Sequence, residues 1–421
     1  MAAILEYKLK QETPMLHFQH DQKGVILRGS DVKPRLDNFL LKIYGEESLA
    51  KYTKVLSQDG KSKKNALDYK LQIIAPGKGP YISDSIGEAK KRMADSKYKE
   101  KKMIAPSYFG NMVGNDQKKM YGDDAKAVEA SYKETIQYKD SITLRIICFH
   151  TELGKMIKDQ IIPFFYLNNF GTRQDKGFGS FTVIPENEKT AQNGAREAEI
   201  ILGKYSKILN YCVYKVDFSQ CTPAGSKQID ALNSLDTLYK LWKSGINVHG
   251  REYIKSYLTT YMLKKGIGGE KRWMKKIGIG PAIGKSARED ENDPLKLEDY
   301  RYIRAVLGTT DGQTWKLEGG GKTHIKIIPP EDLSRVPSPI LFTVIGKNAY
   351  VIATEPDGLI FERWFTFEGQ GKSEKLMTPM KYEFDMHDFM KYAAWKTNKQ
   401  SPFNGFDGCS YKFTLTEVKA E

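Results

Sequence analysis

The sequence predicts an α+β fold of two ferredoxin-like (RRM-like) domains with helical and loop insertions. Two observations carry the prediction. In the first part, segments with the two-residue period of strands and segments with the helical period follow one another as β-α-β-β-α-β. In the second part helical patterns come first and strand patterns follow, enough for a second unit that takes its helices as an insertion. The boundary falls near Glu186, which divides the chain into domains over 1–186 and 187–421. At 421 residues the chain is long enough for two cores of ordinary size.

The elements follow in order. Ile4–Leu9 alternates as a strand and is continued by Met15–Phe18. Pro34 stands where a first helical turn accepts proline, and Leu36, Phe39, Leu40 and Ile43 follow at helical spacing. Leu67–Ile74 and Ile142–Phe149 alternate as half-buried strands do. Between them, from about 76 to 138, lies a polar insertion of Gly, Lys and Asp. A helix over Glu152–Asn168 sets Leu153, Met156, Ile157, Ile161 and Phe164 or Phe165 on one side, and a glycine-rich turn leads into a strand at Ser180–Ile184. Beyond, helical patterns cover Ala195–Lys207, Gln228–Lys243, Arg251–Lys264 and Glu298–Leu307. Strand patterns cover His324–Ile328, Pro339–Ile345, Tyr350–Thr354 and Ile360–Thr366, with a hairpin turn at Gly346–Ala349. A helix at Met386–Trp395 and a strand at Tyr411–Leu415 complete the series.

Charge narrows the function. Lys and Arg number 66 against 52 Asp and Glu, a net of +14. Between Lys264 and Arg288 stand eight basic residues and one acid, Glu270, so this short segment holds half of the excess. Clustered cations favour a polyanionic partner, because a phosphate backbone releases its counterions to them. The segment Gly266–Gly280 is glycine-rich and basic, and Lys271, Arg272, Lys275 and Lys276 flank Trp273. It is the pattern of a mobile loop that grips a backbone and stacks one base. Docking on another protein is the competing use of the same charges. The cysteines (148, 212, 221 and 409) form no C-x-x-C pair, which fits reduced core residues of a cytosolic protein. The first ten residues lack the apolar core of a signal peptide, and no apolar run is long enough to span a membrane. No metal or other cofactor is called for.

The stretch Phe170–Phe181 reads F-G-T-R-Q-D-K-G-F-G-S-F. Three glycines in nine positions allow a tight turn and close approach to a ligand. Arg173, Gln174 and Lys176 place polar and cationic groups on that turn, Gly177 and Gly179 frame it, and Phe178 offers a face for a base. A strand-entry bulge around a core phenylalanine is the other use of a Gly-Phe-Gly turn. The stretch resembles the glycine-rich loop of the RAMP superfamily of CRISPR effector proteins, which follows the second helix of a ferredoxin-like domain. Leu27–Leu36 resembles that family's "R-x-S-x-I-K-G-x-L-R" signature, kept here at Arg28, Ser30, Lys33 and Leu36 beside Arg35, with Pro34 in place of glycine. Arg335–Phe342 resembles the "R-x-S-P-I" strand of the subunit-one branch of Cmr-type (type III-B) complexes. The resemblance implies a non-catalytic subunit that holds guide RNA near its 3′ end, helps capture target RNA, and assembles with other RAMP subunits. It also implies that the loop, the first-helix residues and Arg335 contact RNA.

Other members of the superfamily process guide RNA with a histidine, and a pure protein–protein scaffold is a third reading. His17 and His20 are the candidates for such chemistry, but their odd spacing would put them on opposite faces of a strand. His150 beside Cys148 lacks a second ligand pair for zinc. Gly319–Thr323 lacks the first glycine of a phosphate loop and precedes a strand, which removes the helix dipole such a loop needs. The acidic run Glu289–Asp293 fits a solvated linker.

Overall fold

The computed structural model describes residues 3–16, 27–56, 64–76, 81–84, 135–185, 194–222, 231–248, 253–279, 294–310, 312–316, 322–333, 335–405 and 409–420. His17, His20, Lys285, Arg288, the acidic run and most of the 76–138 insertion lie outside them.

The first half runs β1 (Ala3–Gln11), α1 (Gly29–Tyr44), β2 (Tyr69–Ile74), β3 (Ile142–Cys148), α2 (Thr151–Tyr166) and β4 (Phe181–Val183). The four strands form one antiparallel sheet in the order β2-β3-β1-β4. Strand period decides the faces: Leu5, Tyr7 and Leu9 pair with Ile146, Leu144 and Ile142 on the inner face, while Glu6 pairs with Arg145 outside. Helix α1 brings Val32, Leu36, Phe39 and Leu40 to that face, and α2 brings Leu153, Ile157, Ile161 and Phe164. Pro34 sits inside α1 rather than in its first turn, because the helix starts already at Gly29 with Arg28 as its cap. The proline thus removes one backbone hydrogen bond without ending the helix.

The second half opens with α3 (Gly194–Leu209), β5 (Cys212–Asp217), α4 (Ala231–Lys243), α5 (Tyr257–Leu263) and α6 (Glu270–Lys276). Next come β6 (Gly312–Lys316), β7 (Lys322–Ile328), β8 (Ile340–Ile345) and β9 (Asn348–Ala353). The chain continues through β10 (Trp364–Gly369), β11 (Lys372–Met377), α7 (Met386–Lys399) and β12 (Thr414–Glu417). Strands β8-β9-β5-β12 make a second antiparallel sheet, and β6-β7-β10-β11 a third. In chain order the strands of the second sheet lie 2-3-1-4, the same order as in the first sheet.

The second sheet is covered on both faces. Cys212, Tyr214, Val216, Ile340, Phe342, Val344, Ala349 and Val351 face the core of the second half. The alternate residues Val213, Ile345, Tyr350 and Ile352 pack instead with the first half and with Ala198, Leu202 and Tyr205 of α3. Burial on both sides explains why Ile340–Ile345 is almost wholly apolar instead of alternating.

Three expected elements differ, the first being the strand expected over Ile360–Thr366: a 3₁₀ turn closes at Ile360 and the strand, β10, begins only at Trp364. The helix expected over Glu298–Leu307 is two 3₁₀ turns, Leu297–Asp299 and Ile303–Leu307, on either side of a two-residue strand. Tyr300, Tyr302, Ile303, Ala305, Val306 and Leu307 are all buried, more than one helical face can turn inward. Helix α5 starts only after Ser256, whose hydroxyl accepts from Thr259 N at 3.2 Å. A polar strand, β11, pairs with β10 through a Gln370-Gly371 turn in which both residues have positive φ. Gly346 has φ +63 in the expected β8–β9 hairpin. The cysteines are free thiols, and no described helix is long and apolar enough to cross a membrane.

Candidate nucleic-acid interface

The glycine-rich stretch joins α2 to β4 and lies on the seam between the two halves. Its tight path needs left-handed backbone at Gly171, Arg173, Gly177 and Gly179. At Gly179 a Cβ would stand 1.9 Å from the Phe170 carbonyl oxygen, so only glycine fits there. Phe170, Phe178 and Phe181 turn inward and are almost fully buried. Phe178, at 2 % exposure, is therefore a core residue and its ring offers no face to a base. Gly177 lies against Leu232 and Leu235 of α4, and Thr13 Oγ1 donates to its carbonyl at 2.6 Å.

The outer part of the loop is clamped to the second half. Phe342 N donates to Asp175 O at 3.0 Å, and Lys176 forms a parallel bridge with Phe342. Asn169, 1 % exposed, is the hub of this seam. Its Nδ2 donates to Gln174 O at 2.7 Å and to Phe342 O at 2.6 Å. Its Oδ1 accepts from Ser180 Oγ at 2.9 Å and from Thr343 Oγ1 at 3.2 Å. The side-chain oxygen of Gln174 is buried with no hydrogen-bond partner among the described residues.

Charge gathers on this seam. Lys176 Nζ lies 3.0 Å from Asp236 of α4 and 5.2 Å from the centre of the Tyr239 ring. Asp236 is 6 % exposed and also holds Lys240, one helical turn along. Arg173 is half-buried, and that burial lowers its pKa although Asp236 and Asp175 support its charge and Arg335 opposes it. Arg335 itself is exposed and makes no hydrogen bond or ion pair among the described residues. Arg173, Lys176, Lys240 and Arg335 thus surround two carboxylates and leave the seam positive.

The α1 signature supports the loop from behind. Arg35 Nη1 donates to Asn169 O at 2.5 Å and its guanidinium stands 5.3 Å from the Phe170 ring. Burial lowers the Arg35 pKa, with Asp31 opposing. Lys33 is committed to Asp37 at 2.8 Å, Leu67 O at 2.9 Å and the face of Tyr69. Arg28 is half-buried at the helix cap and Ser30 is exposed. Lys33 and Arg35 therefore act first as braces of the fold.

The segment expected to be a mobile basic loop is folded. Residues 270–276 form α6, with Trp273 6 % exposed and its ring 5.6 Å from Phe367. Trp273 is core and does not stack on a ligand in this conformation. What fixes the segment is Glu270, 1 % exposed, whose carboxylate accepts from Ile303 N at 3.1 Å and pairs with Arg304. Lys276 donates to Leu295 O at 2.8 Å, Arg272 and Lys275 are half-buried, and Lys271 turns to a neighbouring cleft. Sequence reasoning missed Asn169, Asp236, Tyr239 and Lys240. The Asp236/Lys240 spacing was a readable signal; nothing in the sequence singles out Asn169.

One cluster of possible metal-ligating side chains occurs among the described residues. Glu355, Asp385 and His387 bring three ligand atoms within 4.8 Å. Glu355, however, lies 3.6 Å from Lys381 Nζ, and Asp385 caps α7 by accepting from Asp388 N at 2.8 Å. His150 Nε2 lies 3.1 Å from Asp68, and the Cys148 thiol donates to the His150 carbonyl.

Fold and seam define the class: a two-part α+β protein whose first two sheets share one strand order and whose halves are clamped along a cationic loop. The chain belongs to the Cmr1 family, since the model of the Cmr1 N-terminal domain matches residues 2–246 and that of the Cmr1 C-terminal domain residues 253–409. It is a Cmr-type subunit one, in agreement with the branch that the sequence resembles. Among solved structures it is similar to Cmr1 from Pyrococcus furiosus in its apo form, at 12% identity and TM-score 0.41 over 99% of both chains. A chain of the type III-B Cmr-beta complex bound to cognate target RNA matches 44% of this chain and 59% of its own, at 14% identity and TM-score 0.25. No curated protein sequence matches it.

Proposed function

We propose that this chain is a non-catalytic RNA-binding subunit of a type III-B CRISPR ribonucleoprotein, holding guide RNA near its 3′ end and helping capture target RNA. In this reading the halves are two ferredoxin-like units, divided near residue 186, and the RNA backbone runs along the seam between them. One observation carries it: Arg173 of the loop and Arg335 of the approach to β8, far apart in sequence, converge with Lys176 and Lys240. The net charge of +14 supports the same reading. Arg173 and Arg335 carry the contact to phosphate, while Lys176 is partly engaged by Asp236.

The test follows binding and cleavage of labelled single-stranded and guide-like RNA in the same samples across a salt series. Intact RNA with salt-sensitive binding is expected. Arg173→Glu with Arg335→Glu is expected to flatten the slope of log K against log salt by about 1.4, two contacts at ~0.7 each for a single strand. An unchanged slope would remove the seam from the binding surface. Metal-independent cleavage lost in His17→Ala or His20→Ala would make the chain a processing ribonuclease instead.

A further inference from the structure

Beside the seam lies a cleft of about 340 Å³, lined among others by Lys243, Asn247, Tyr253, Lys271, Tyr302 and Arg304. Its cations are unusual in their partners. Lys243 is 8 % exposed, yet its ammonium meets no carboxylate among the described residues; it donates to the carbonyls of Leu307 at 2.8 Å and Gly308 at 2.7 Å. Lys271 donates to Ser244 O at 2.8 Å and to the Tyr253 hydroxyl at 3.2 Å. An ammonium has three donors, so each lysine keeps one beyond these two bonds. Arg304 lines the same cleft and is paired with Glu270.

We infer that this cleft is a binding site for a phosphate dianion or a phosphate monoester. Three cations face one carboxylate there, which leaves two positive charges, and a tetrahedral dianion supplies that charge with acceptors for both spare donors. A carboxylate ligand would neutralise half of it. Burial, reinforced by Arg304, pulls the pKa of each lysine down to about 7. Around Lys243, Lys176 and Arg335 add to that effect and Asp175 opposes it; around Lys271, Lys275 adds and Glu270 opposes. A bound dianion would restore both charges. The site goes beyond the RNA reading, because it rests on the cleft and not on the seam. Its phosphate has two possible sources, free phosphate or the end of an RNA strand.

Isothermal titration calorimetry of the full chain with inorganic phosphate tests the site, followed by oligonucleotides that end in a phosphate or in a hydroxyl. Phosphate is expected to bind the wild type, and Lys243→Met, which keeps the aliphatic packing, to weaken it about 10-fold or more. Lys271→Met serves as the second variant, with unfolding midpoints measured for both. A preference for the phosphate-ended strand that disappears in Lys243→Met assigns the site to an RNA end. Equal affinity for the two strands with phosphate binding intact assigns it to free phosphate. Absence of phosphate binding in the wild type, or wild-type affinity in both folded variants, overturns the proposal. Arg173→Glu with Arg335→Glu lowers affinity for hydroxyl-ended RNA, whereas Lys243→Met lowers affinity for phosphate, so either reading can fail alone.

Discussion

Replacing Asn169 by alanine removes four hydrogen bonds at the centre of the seam. Their partners fare differently. Ser180 Oγ also lies 3.3 Å from Gly177 O, so its hydroxyl keeps an acceptor. The Gln174 carbonyl belongs to a half-buried residue. Thr343 Oγ1 and the Phe342 carbonyl are sealed in, Thr343 being 1 % exposed and Phe342 fully buried. Each buried polar group left without a partner costs about 1–3 kcal/mol, so the two together predict a loss of about 2–6 kcal/mol. That is a large share of the ~5–15 kcal/mol that holds an ordinary domain together. Urea unfolding of wild type and Asn169→Ala measures the loss, and RNA affinity is expected to fall in parallel as Arg173 and Arg335 lose their fixed spacing. Asn169→Asp sharpens the test. It keeps an acceptor for Ser180 and Thr343 but sets a carboxylate against two carbonyl oxygens, and should be at least as harmful at neutral pH. A shift below about 1 kcal/mol in both variants would refute the role of Asn169 as hub, since it would mean that the seam re-forms its hydrogen bonds without it.

Gly179→Ala is expected to destabilise the protein strongly, because its Cβ meets the Phe170 carbonyl oxygen at 1.9 Å with φ at +68; a thermal midpoint equal to wild type would show that the loop takes another path. Trp273→Ala should cost about 3–5 kcal/mol in unfolding free energy as a core deletion while leaving the salt slope of RNA binding unaltered, and a flattened slope would return Trp273 to the ligand surface. Lys243 and Lys271 hold fewer protons when folded than when unfolded between pH 7 and their ordinary value of 10.5. Stability must therefore rise with pH through that window, so the urea midpoint of wild type should increase from pH 7 to about pH 8.5 and the double methionine variant should show a smaller rise; parallel curves would contradict the burial of these amines.

The sequence alone determined the first sheet almost element by element. Its strands are half-buried and alternate, as Leu5, Tyr7 and Leu9 do, and its helices carry one apolar stripe, so each period reports its own face. The loop was legible for a local reason too, since three close glycines mark a backbone that must turn left-handed. Strand β11, with Lys372–Lys375 exposed, has no apolar face to report, and was invisible. The segment Glu298–Leu307 was misread as a helix because burial on all sides erases the period. What tertiary structure alone decided is which side chains are free. Phe178 and Trp273 look like stacking platforms beside basic residues, yet the folded chain buries both. Lys33 and Arg35 look like phosphate contacts, yet they bind Asp37 and Asn169 O. Asn169 reads as one polar residue among several, and becomes a hub only when β8 arrives from the other half with Phe342 and Thr343. A sequence records a residue's chemistry and its near neighbours; exposure and charge partners are set by segments distant along the chain, which only the folded molecule brings together.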